Sequence, residues 1–496
     1  MLEGLLLGIE NILQPMHLII LILAMMIGFL GGALPGISGT MLVIILLPIS
    51  YGLGAIPAFI LLTTIYASSV FSGLISAIMF RTPGTPEAVA TVLDGYPMAQ
   101  KKPGQALGIG IFSSAAGGII GTLFLIFLTP LLASIAIQFS SPEYFALAVL
   151  GLTVVVSLSG GKLIQGFIGV ALGLFIASIG MDPLTGAERF TFGSVNLLSG
   201  IDFIPILIGL FAISEVMRKS KEDHTIKKEM KKFKTKVFDG QMIRKIKNTI
   251  FRSSLLGISV GILPGVGATT AAMLSYSEAT RWSKKPKEFG TGIPEGIAAP
   301  ESANNSAAMG AMVPLLSLGI PGSATTAVIL GAFVLHGLQP GPMLISNEPG
   351  LVYTIFVALL LVNILIIVFA KPFIKVFSSI MKVPYTVLGP AIIIFCIIGT
   401  YAVRNSVFDI WIMLLFGVIG YYLDKMKFPL AAVILGVVLG PIAEEEFRRG
   451  LQMANGDLTI FLTRPISATL LGLALIALLV PIYKRYVKKK QTVNTN

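Results

Sequence analysis

Two copies of one apolar pattern, each broken by glycine and proline, constrain this chain more than any other feature. The first copy reads GFLGGALPGISGT from Gly28 to Thr40, and the second reads GISVGILPGVGATT from Gly257 to Thr270. Each copy is followed by a second Pro-Gly break within apolar sequence, TPGTP at Thr82–Pro86 and IPGSATT at Ile320–Thr326. Further along, GVALG and GVVLG keep the same order. The pattern predicts a duplication that spans both halves of the chain.

The composition places these halves in a membrane. Of the 496 residues, 55% are hydrophobic and only 12% are charged, and the mean hydropathy is +0.88. A soluble globule cannot bury so much apolar surface. A membrane-spanning helix needs about 20 apolar residues, and about eleven or twelve stretches meet that need. We predict an all-α polytopic membrane protein with broken or re-entrant Pro-Gly segments. The single cysteine, Cys396, and three scattered histidines predict no disulfide, no zinc centre and no cofactor.

The distribution of charge predicts how the halves are oriented. Between Arg218 and Arg252 there are thirteen Lys or Arg residues and four acids, which is typical of a cytoplasmic loop. The tail is also basic, whereas residues 1–17 contain acids and no Lys or Arg. We therefore expect an outside N-terminus, a cytoplasmic C-terminus in the inner (plasma) membrane, and inverted repeats. The predicted segments are a first membrane repeat (1–217), a basic loop (218–249), a second repeat (250–483) and a basic tail (484–496).

The Pro-Gly breaks predict a binding site. Interrupted backbone at membrane depth is tolerated only where it is buried in protein or lines a wet cavity, and the helix that follows a break presents N–H groups that suit an anion. Inverted-repeat transporters bind substrate near the midplane between such breaks. The predicted substrate-binding residues are Ser38, Gly39, Thr40, Arg81, Thr82, Gly84, Thr85, Thr269, Asn304, Asn305, Gly322, Ser323 and Thr325. Two alternatives stay open: small residues can serve close helix packing, and Arg81 can either pair with a carboxylate or extend to the membrane interface.

Acidic and amide residues in the second half predict an ion-coupling site. The stretch Phe289–Pro314 places Glu301, Asn304 and Asn305 at the start of an otherwise apolar helix. An acid at the bilayer centre costs about 2.5 to 3.5 kcal/mol, so such a group rarely lies there without a function. Glu301 and Asn304 share a helix face and could bind Na⁺, or a proton through Glu301. We add Asp94 to this site. The alternatives are an exposed helix start for Glu301 and a turn for Asp94.

These residues resemble the large membrane subunit of the tripartite tricarboxylate transporters, the TctA family. The likeness runs almost end to end and is carried by the Leu-Pro-Gly pair, Asp94–Gln100, Pro142–Leu152, Leu184–Gly193, Phe289–Ala307, Leu318–Pro342 and Leu462–Ser467. The resemblance implies uptake of a di- or tricarboxylate such as citrate, driven by an Na⁺ or H⁺ gradient. It also implies two partners, a small membrane subunit and an extracytoplasmic substrate-binding protein. Arg81 stands where the family commonly has Asn, which leaves a different carboxylate or altered ion coupling open.

Two other functions stay open on the sequence alone. An uncoupled organic-anion channel would use the same breaks without an ion site. An intramembrane enzyme would use acids next to apolar sequence, such as Glu301 and Asp457, but the chain has no nucleophile-elbow motif and no metal-ligand set. We therefore predict a transporter rather than an enzyme.

Overall fold

The structure, a computed structural model, describes residues 1–34, 37–157, 163–220, 240–380 and 385–493. Nearly all regular structure in these ranges is helical, and the strands β1 (Gly180–Met181) and β2 (Glu188–Arg189) form an antiparallel hairpin. Three sequence predictions fall on residues outside the described ranges: the first Pro-Gly break at Pro35 and Gly36, residues 221–239 of the basic loop, and residues 494–496 of the tail.

Two long helices of the first half begin at prolines. Pro15 and Pro103 each stand at the first helical position, where a fixed φ and a missing N–H cost nothing. A π-helical segment, Ile208–Ile213, joins the last two helices. The helices are α1 (Leu2–Leu13), α2 (Pro15–Ala33), α3 (Gly39–Tyr51), α4 (Ala55–Phe80), α5 (Val92–Lys101), α6 (Pro103–Ala136), α7 (Ser141–Ser157), α8 (Leu163–Ala177), α9 (Val195–Leu198), α10 (Phe203–Leu207) and α11 (Ser214–Lys219).

The second half also consists of long and short helices. Short 3₁₀ turns, Pro86–Ala88 and Pro286–Glu288, lie before α5 and α14. The helices are α12 (Gly240–Ile262), α13 (Gly267–Trp282), α14 (Pro294–Leu318), α15 (Ala324–Leu335), α16 (Leu344–Asn347), α17 (Pro349–Ile380), α18 (Tyr385–Arg404), α19 (Val407–Lys425), α20 (Leu430–Met453), α21 (Ile460–Thr463) and α22 (Pro465–Val493).

Six of the described helices are long and apolar enough to cross a membrane: α2, α4, α6, α17, α18 and α19. Shorter apolar helices accompany them, among them α3, α7, α8 and α15. The predicted all-α polytopic fold class is confirmed. The most apolar window of α4 is completely buried within the protein, and α14, an apolar helix with several polar side chains, is buried along nearly its whole length. Polar side chains at membrane depth need such a protein environment, because lipid offers them no hydrogen bonds.

The two copies of the duplicated pattern pack in the same way. Helix α2 lies against α4, and α12 lies against α14. A Cβ atom added to Gly28 would collide with the Ser68 hydroxyl, and one added to Gly257 would collide with the Ser306 hydroxyl. Gly28 therefore allows α2 to approach α4 closely, and Gly257 allows α12 to approach α14 in the same way. The sequence similarity of the two halves corresponds to a similarity of packing.

The second Pro-Gly break of each half also returns to the same place. A Cβ on Gly84 would lie 2.5 Å from the Gly32 carbonyl oxygen, and one on Gly322 would lie 2.9 Å from the Gly261 carbonyl oxygen. The Gly265 N–H donates to the Gly322 carbonyl at 2.9 Å. The first-half break therefore packs against the end of α2, and the second-half break packs against the end of α12. So close a contact requires glycine.

The two halves are interlocked rather than side by side. Helix α6 of the first half packs on α14, and α17 of the second half packs on α4. The GVALG and GVVLG motifs meet directly, since a Cβ on Gly173 would lie 2.7 Å from the Gly436 Cα atom. The latter contact joins α8 to α20 in a second apolar core that also includes α7. The predicted inverted orientation of the halves, and their boundaries, stay predictions.

Candidate functional site

Helix starts from the two halves meet at one point. The Ser38 hydroxyl caps α3 by accepting a hydrogen bond from the Met41 N–H at 3.1 Å. Ser323 caps α15 in a capping box with Thr326. The hydroxyl oxygens of Thr40 and Thr325, each in the first turn of its helix, lie 2.7 Å apart. Predicted binding residues from both halves are therefore brought together although they are far apart in sequence.

Helix α4 adds one residue to this point. The Tyr66 side chain is 3% exposed, and its phenol is near enough to the Ser323 side chain to interact with it. We call this group the neutral break pair, defined as the starts of α3 and α15 with Ser38–Thr40, Ser323–Thr325 and Tyr66. It presents hydroxyls and two helix N-termini, and its residues include no acid. Such a group suits a carboxylate.

A second group forms where the first-half break meets the start of α13. The 3₁₀ turn Pro86–Ala88 follows Thr85 and packs against α13, α4 and α14. Thr85 is buried, and Thr269 lies partly buried in the first turn of α13. We call this group the acidic break pair: Thr85, the turn with Glu87, the start of α13, and Glu301–Asn305 of α14.

Three of the four predicted ion-coupling residues, Glu301, Asn304 and Asn305, lie together in the acidic break pair. Glu301 is fully buried and accepts hydrogen bonds on both carboxylate oxygens, from the hydroxyls of Thr91 and Ser114. The Asn305 side-chain amide donates to the Asn304 amide oxygen at 2.6 Å and to the Glu301 carbonyl at 3.0 Å. The alternative of an exposed helix start for Glu301 is therefore wrong, because this side chain points into the protein.

A second carboxyl, which the sequence reasoning missed, lies beside this cluster. The Asn304 amide donates to the Glu87 carbonyl at 3.4 Å. The Glu87 Oε2 atom is buried and has no hydrogen-bond partner, and the same is true of the Thr85 hydroxyl oxygen. The Glu87 carboxyl is near enough to interact electrostatically with both Glu301 and Tyr66. Aligning TPGTPE with IPGSAT would have flagged it, since Glu87 then occupies the position of Thr325.

Asp94 has a different set of partners from the other predicted ion-coupling residues. Its carboxylate accepts hydrogen bonds from the backbone N–H groups of Gly290, Gly292 and Ile293 at 2.7 to 3.0 Å, and from the Tyr276 hydroxyl at 2.8 Å. Ile293 is the N-cap of α14. Asp94 therefore fastens α5 of the first half to the start of α14 in the second half. Four donors from the protein surround this buried carboxylate.

Arg81 and Thr82 lie apart from both break pairs. Arg81 ends α4 in a left-handed conformation with φ of 61°, is exposed, and places its guanidinium 5.8 Å from the centre of the Tyr96 ring. Thr82 is also exposed. Gly84, by contrast, is buried where the break touches α2 and α4. The geometry brings Gly84 and Thr85 into the buried cluster but leaves Arg81 and Thr82 at its edge.

A large open cavity of about 1020 Å³ lies elsewhere, between the β hairpin, α20 and the end of α14. None of the predicted binding residues lines this cavity. Leu318 and Gly319, which directly precede the second-half break, form part of its wall. Polar side chains on its wall include Asp202, Glu446 and Arg449. It therefore adjoins the break region without containing either break pair.

The hairpin beside this cavity is tied to α20 by a charge network. Asp182 pairs with Arg448 at 2.8 Å and with Arg189 at 2.5 Å, and Arg189 also pairs with Glu444 at 2.7 Å. The hydrogen bond from Arg448, with others from the Leu184 backbone and from Arg189, holds the pKa of Asp182 below its usual value. The network fixes one end of the molecule and is separate from the breaks.

The sequence of this chain matches a known protein family. The family described as "Tripartite tricarboxylate transporter TctA family" matches residues 18–435. An Agrobacterium vitis protein named "Uncharacterized 52.8 kDa protein in TAR-I ttuC' 3'region" is 37% identical over 99% of this chain and 98% of its own length. A second protein of that organism, "Uncharacterized protein in TAR-II ttuC' 3'region", is 41% identical over 48% of this chain and 98% of its own length. No solved structure matches.

Proposed function

We propose, because this chain belongs to the tripartite tricarboxylate transporter TctA family, that it is the large transmembrane subunit of an ion-gradient-driven uptake system for tricarboxylates or related carboxylates such as citrate. The family is one of transporters and not of enzymes. The observation that carries the substrate assignment is the neutral break pair, in which helix starts from the two halves lie 2.7 Å apart at the Thr40 and Thr325 hydroxyls.

The proposed substrate site uses the chemistry of those helix starts. The first N–H groups of a helix have no partner within it and carry a partial positive charge, so they stabilise an anion without a buried cation. Ser323, Thr325 and Thr40 supply hydroxyls that can donate to carboxylate oxygens. Tyr66 supplies a further hydroxyl from α4. A substrate with several carboxylates fits a site that offers donors from both halves.

The coupling ion, Na⁺ or H⁺, is proposed to bind in the acidic break pair. Glu301 with Asn304 and Asn305 provides carboxylate and amide oxygens, which are ligands that hard cations accept. Asp94 is proposed to position the start of α14, because its oxygens already have four donors. Arg81 is proposed to act at the edge of the site, where it can meet a carboxylate before the substrate reaches the breaks.

The partners and the topology are also proposals that rest on the family. A small membrane subunit and an extracytoplasmic binding protein would complete the system. The protein would lie in the inner (plasma) membrane, with an outside N-terminus, a cytoplasmic C-terminus, and halves of inverted orientation. Basic residues near the start of α12 and the end of α13, such as Arg244 and Arg281, support a cytoplasmic location for that end.

The proposal is tested with purified chain in proteoliposomes together with its small membrane subunit and binding protein. Uptake of labelled citrate should require an ion gradient, and unlabelled di- and tricarboxylates should compete with it. Thr325→Val, which removes the partner of Thr40 with little change of shape, should raise the citrate concentration at half-maximal uptake. Ser259→Ala, on the exposed side of α12, should leave it unchanged.

Three outcomes would each contradict a part of the proposal. Absence of gradient-dependent uptake across a broad carboxylate panel would remove the transport assignment. A carboxylate conductance that is insensitive to every ion gradient would instead favour the uncoupled anion channel. Equal effects of Thr325→Val and Ser259→Ala would move the substrate away from the neutral break pair.

A further inference from the structure

The large cavity beside the β hairpin extends from a charged surface into apolar sequence. Helix α20 forms one of its walls, on which Val437 and Val438 are followed by Glu445, Glu446 and Arg449. Charged side chains are costly in lipid, so this end of α20 belongs in water, whereas the two valines belong to the apolar part of the helix. The cavity, of about 1020 Å³, therefore connects an aqueous surface with membrane depth.

The inner end of the cavity borders the second-half break. Leu318 and Gly319 at the end of α14 form part of its wall, together with Leu330 and Val334 of α15. Leu330 lies six residues after the first residue of α15, Ala324, which corresponds to a rise of about 9 Å. The cavity thus ends within about two helical turns of the neutral break pair.

Helix α15 is the element that the cavity and the neutral break pair share. Its residues from Thr325 to Phe333 are buried, but Val334 is 57% exposed and lines the cavity. At the nearby end of α14 the backbones touch, since a Cβ atom on Gly319 would lie 2.6 Å from the Pro340 carbonyl oxygen. Glycine leaves no side chain at that contact. Val334 is therefore the position at which α15 faces open space.

The cavity lies at the end of the molecule opposite the basic end. Helix α14 packs beside α13, which ends at Trp282, and the Arg252 guanidinium lies 4.8 Å from the centre of the Trp282 ring. From its start at Pro294, the 25 residues of α14 rise about 37 Å, more than the roughly 30 Å of a bilayer core, before Leu318 reaches the cavity. Because the basic end is proposed to be cytoplasmic, the cavity opens on the extracytoplasmic side.

Acids and arginines are nearly balanced around the cavity. Arg449 pairs with Glu445 at 2.5 Å and with Glu446 at 3.5 Å. Asp202, also in the wall, lies within electrostatic range of Arg404. An anion inside the cavity would meet neither a strong trap nor a wall of uncompensated like charge. A passage has to release its ligand as well as admit it, so this balance suits a passage and leaves tight binding to the helix starts.

We propose that this cavity is the passage through which the carboxylate substrate moves between the extracytoplasmic water and the neutral break pair. The inference rests on the proposed transport function and adds to it the path of the substrate and the side from which it arrives. The ligand class is a di- or tricarboxylate in weak, transient contact with the wall. Val334 marks the place where this path meets α15.

The test uses the single cysteine of the chain, Cys396, which is buried and should not react. Cells that express the complete system with Val334→Cys are treated from outside with a membrane-impermeant, anionic methanethiosulfonate. The attached group fills the passage and places a negative charge in it, so most of the citrate uptake should be lost. Saturating external citrate should slow the reaction.

Val195→Cys is the matched control. Val195 is 78% exposed, follows the β hairpin, and lies outside the cavity wall. It should react with the same reagent without loss of uptake, and citrate should not change its rate of reaction. The extent of reaction is measured for both variants by the mass of the labelled protein.

Uptake before labelling reports the transport function, and the effect of labelling reports the passage. Labelled Val334→Cys that transports as well as labelled Val195→Cys overturns the inference, and so does a Val334→Cys that fails to react from outside or reacts at a rate that citrate does not change. The transport function stands in each case. If Val334→Cys does not transport before labelling, Gln339→Cys in the same wall is measured by the same criteria.

Discussion

The neutral break pair and the acidic break pair are built on the same packed glycines, yet they present opposite chemistry. In the neutral pair, Thr40 and Thr325 bring two helix starts together with hydroxyls alone. In the acidic pair, Glu87 stands at the position equivalent to Thr325, its carbonyl accepts from the Asn304 amide, and the nearby Glu301 carboxylate accepts from Thr91 and Ser114. A duplicated backbone can thus provide two sites of similar shape, and a few side chains decide which ion each one accepts.

The largest expected effect comes from making the neutral pair acidic. Thr325→Glu places a carboxylate beside Thr40, where the substrate carboxylate is proposed to bind. Two like charges about 4 Å apart at an effective dielectric constant of about 20 repel by about 4 kcal/mol. Uptake of citrate should therefore fall below detection, as measured in proteoliposomes, while Thr325→Ser should retain it. Normal uptake by Thr325→Glu would show that the substrate binds elsewhere.

A somewhat smaller loss of citrate uptake is expected from Glu301→Gln. The variant removes the charge that Thr91 and Ser114 support, and a hydrogen bond to a charged group contributes about 1.5 to 3 kcal/mol. Uptake should fall about ten- to a hundredfold on that basis, with an unchanged amount of protein in the membrane. Asn304→Ala should act in the same direction. Wild-type uptake rates in both variants would remove these residues from the ion site.

Asp94→Asn distinguishes a positioning role from an ion-coupling role. The substitution weakens the acceptor that holds the N–H groups before α14, at a cost of about 1 to 3 kcal/mol. We expect a lower thermal unfolding temperature and slower uptake, with the same dependence on the ion gradient. A changed ion dependence at unchanged stability would instead return Asp94 to the ion-coupling set.

The charge network at the hairpin should respond to pH in a narrow acidic range. Arg448 and Arg189 lower the pKa of Asp182, so its contribution is complete above the usual Asp value of about 3.9 and is lost as the pH falls through the lowered value. The difference in thermal stability between the wild type and Asp182→Asn should be constant from about pH 8 to 5 and disappear in stronger acid. A difference that changes near neutral pH would contradict the assignment to Asp182.

The smallest effect is expected for Arg81→Asn. An exposed charge contributes about 0 to 1 kcal/mol, so the competition profile among carboxylates should shift by less than about fivefold. A larger change of preference would place Arg81 inside the substrate site, as the hypothesis of pairing with a carboxylate holds. The comparison uses the same carboxylate panel as the wild type.

The fold class could be predicted from the sequence because hydropathy and Gly-Pro punctuation act locally. Apolar stretches of about 20 residues and the repeated Leu-Pro-Gly breaks need no knowledge of tertiary contacts. The packing of Gly28 on Ser68 and of Gly257 on Ser306 follows the duplication that the sequence displays. Buried positions for Glu301, Asn304 and Asn305 likewise agree with the cost of leaving such groups in lipid.

Which residues make up each site could not be predicted from the local sequence pattern. Tyr66 looks like an ordinary core aromatic, and Glu87 looks like a loop acid after Pro86, until the fold places both beside residues of the other half. Asp94 was assigned to the ion site because it is an acid near a break, but its partners are determined by the loop before α14, more than a hundred residues away in sequence. Contacts across the repeat decide these roles.

The central claim, that the carboxylate and the coupling ion occupy different break pairs, is tested most directly by measuring Thr325→Val and Glu301→Gln side by side. For each variant, the citrate concentration at half-maximal exchange and the dependence of accumulation on the ion gradient are determined in the same proteoliposomes. Thr325→Val should raise the half-maximal citrate concentration and keep the ion dependence, whereas Glu301→Gln should leave that concentration unchanged and lose the ion dependence. If either variant changes both the half-maximal citrate concentration and the ion dependence, or if each variant changes the property expected of the other, the claim of two separate sites is contradicted.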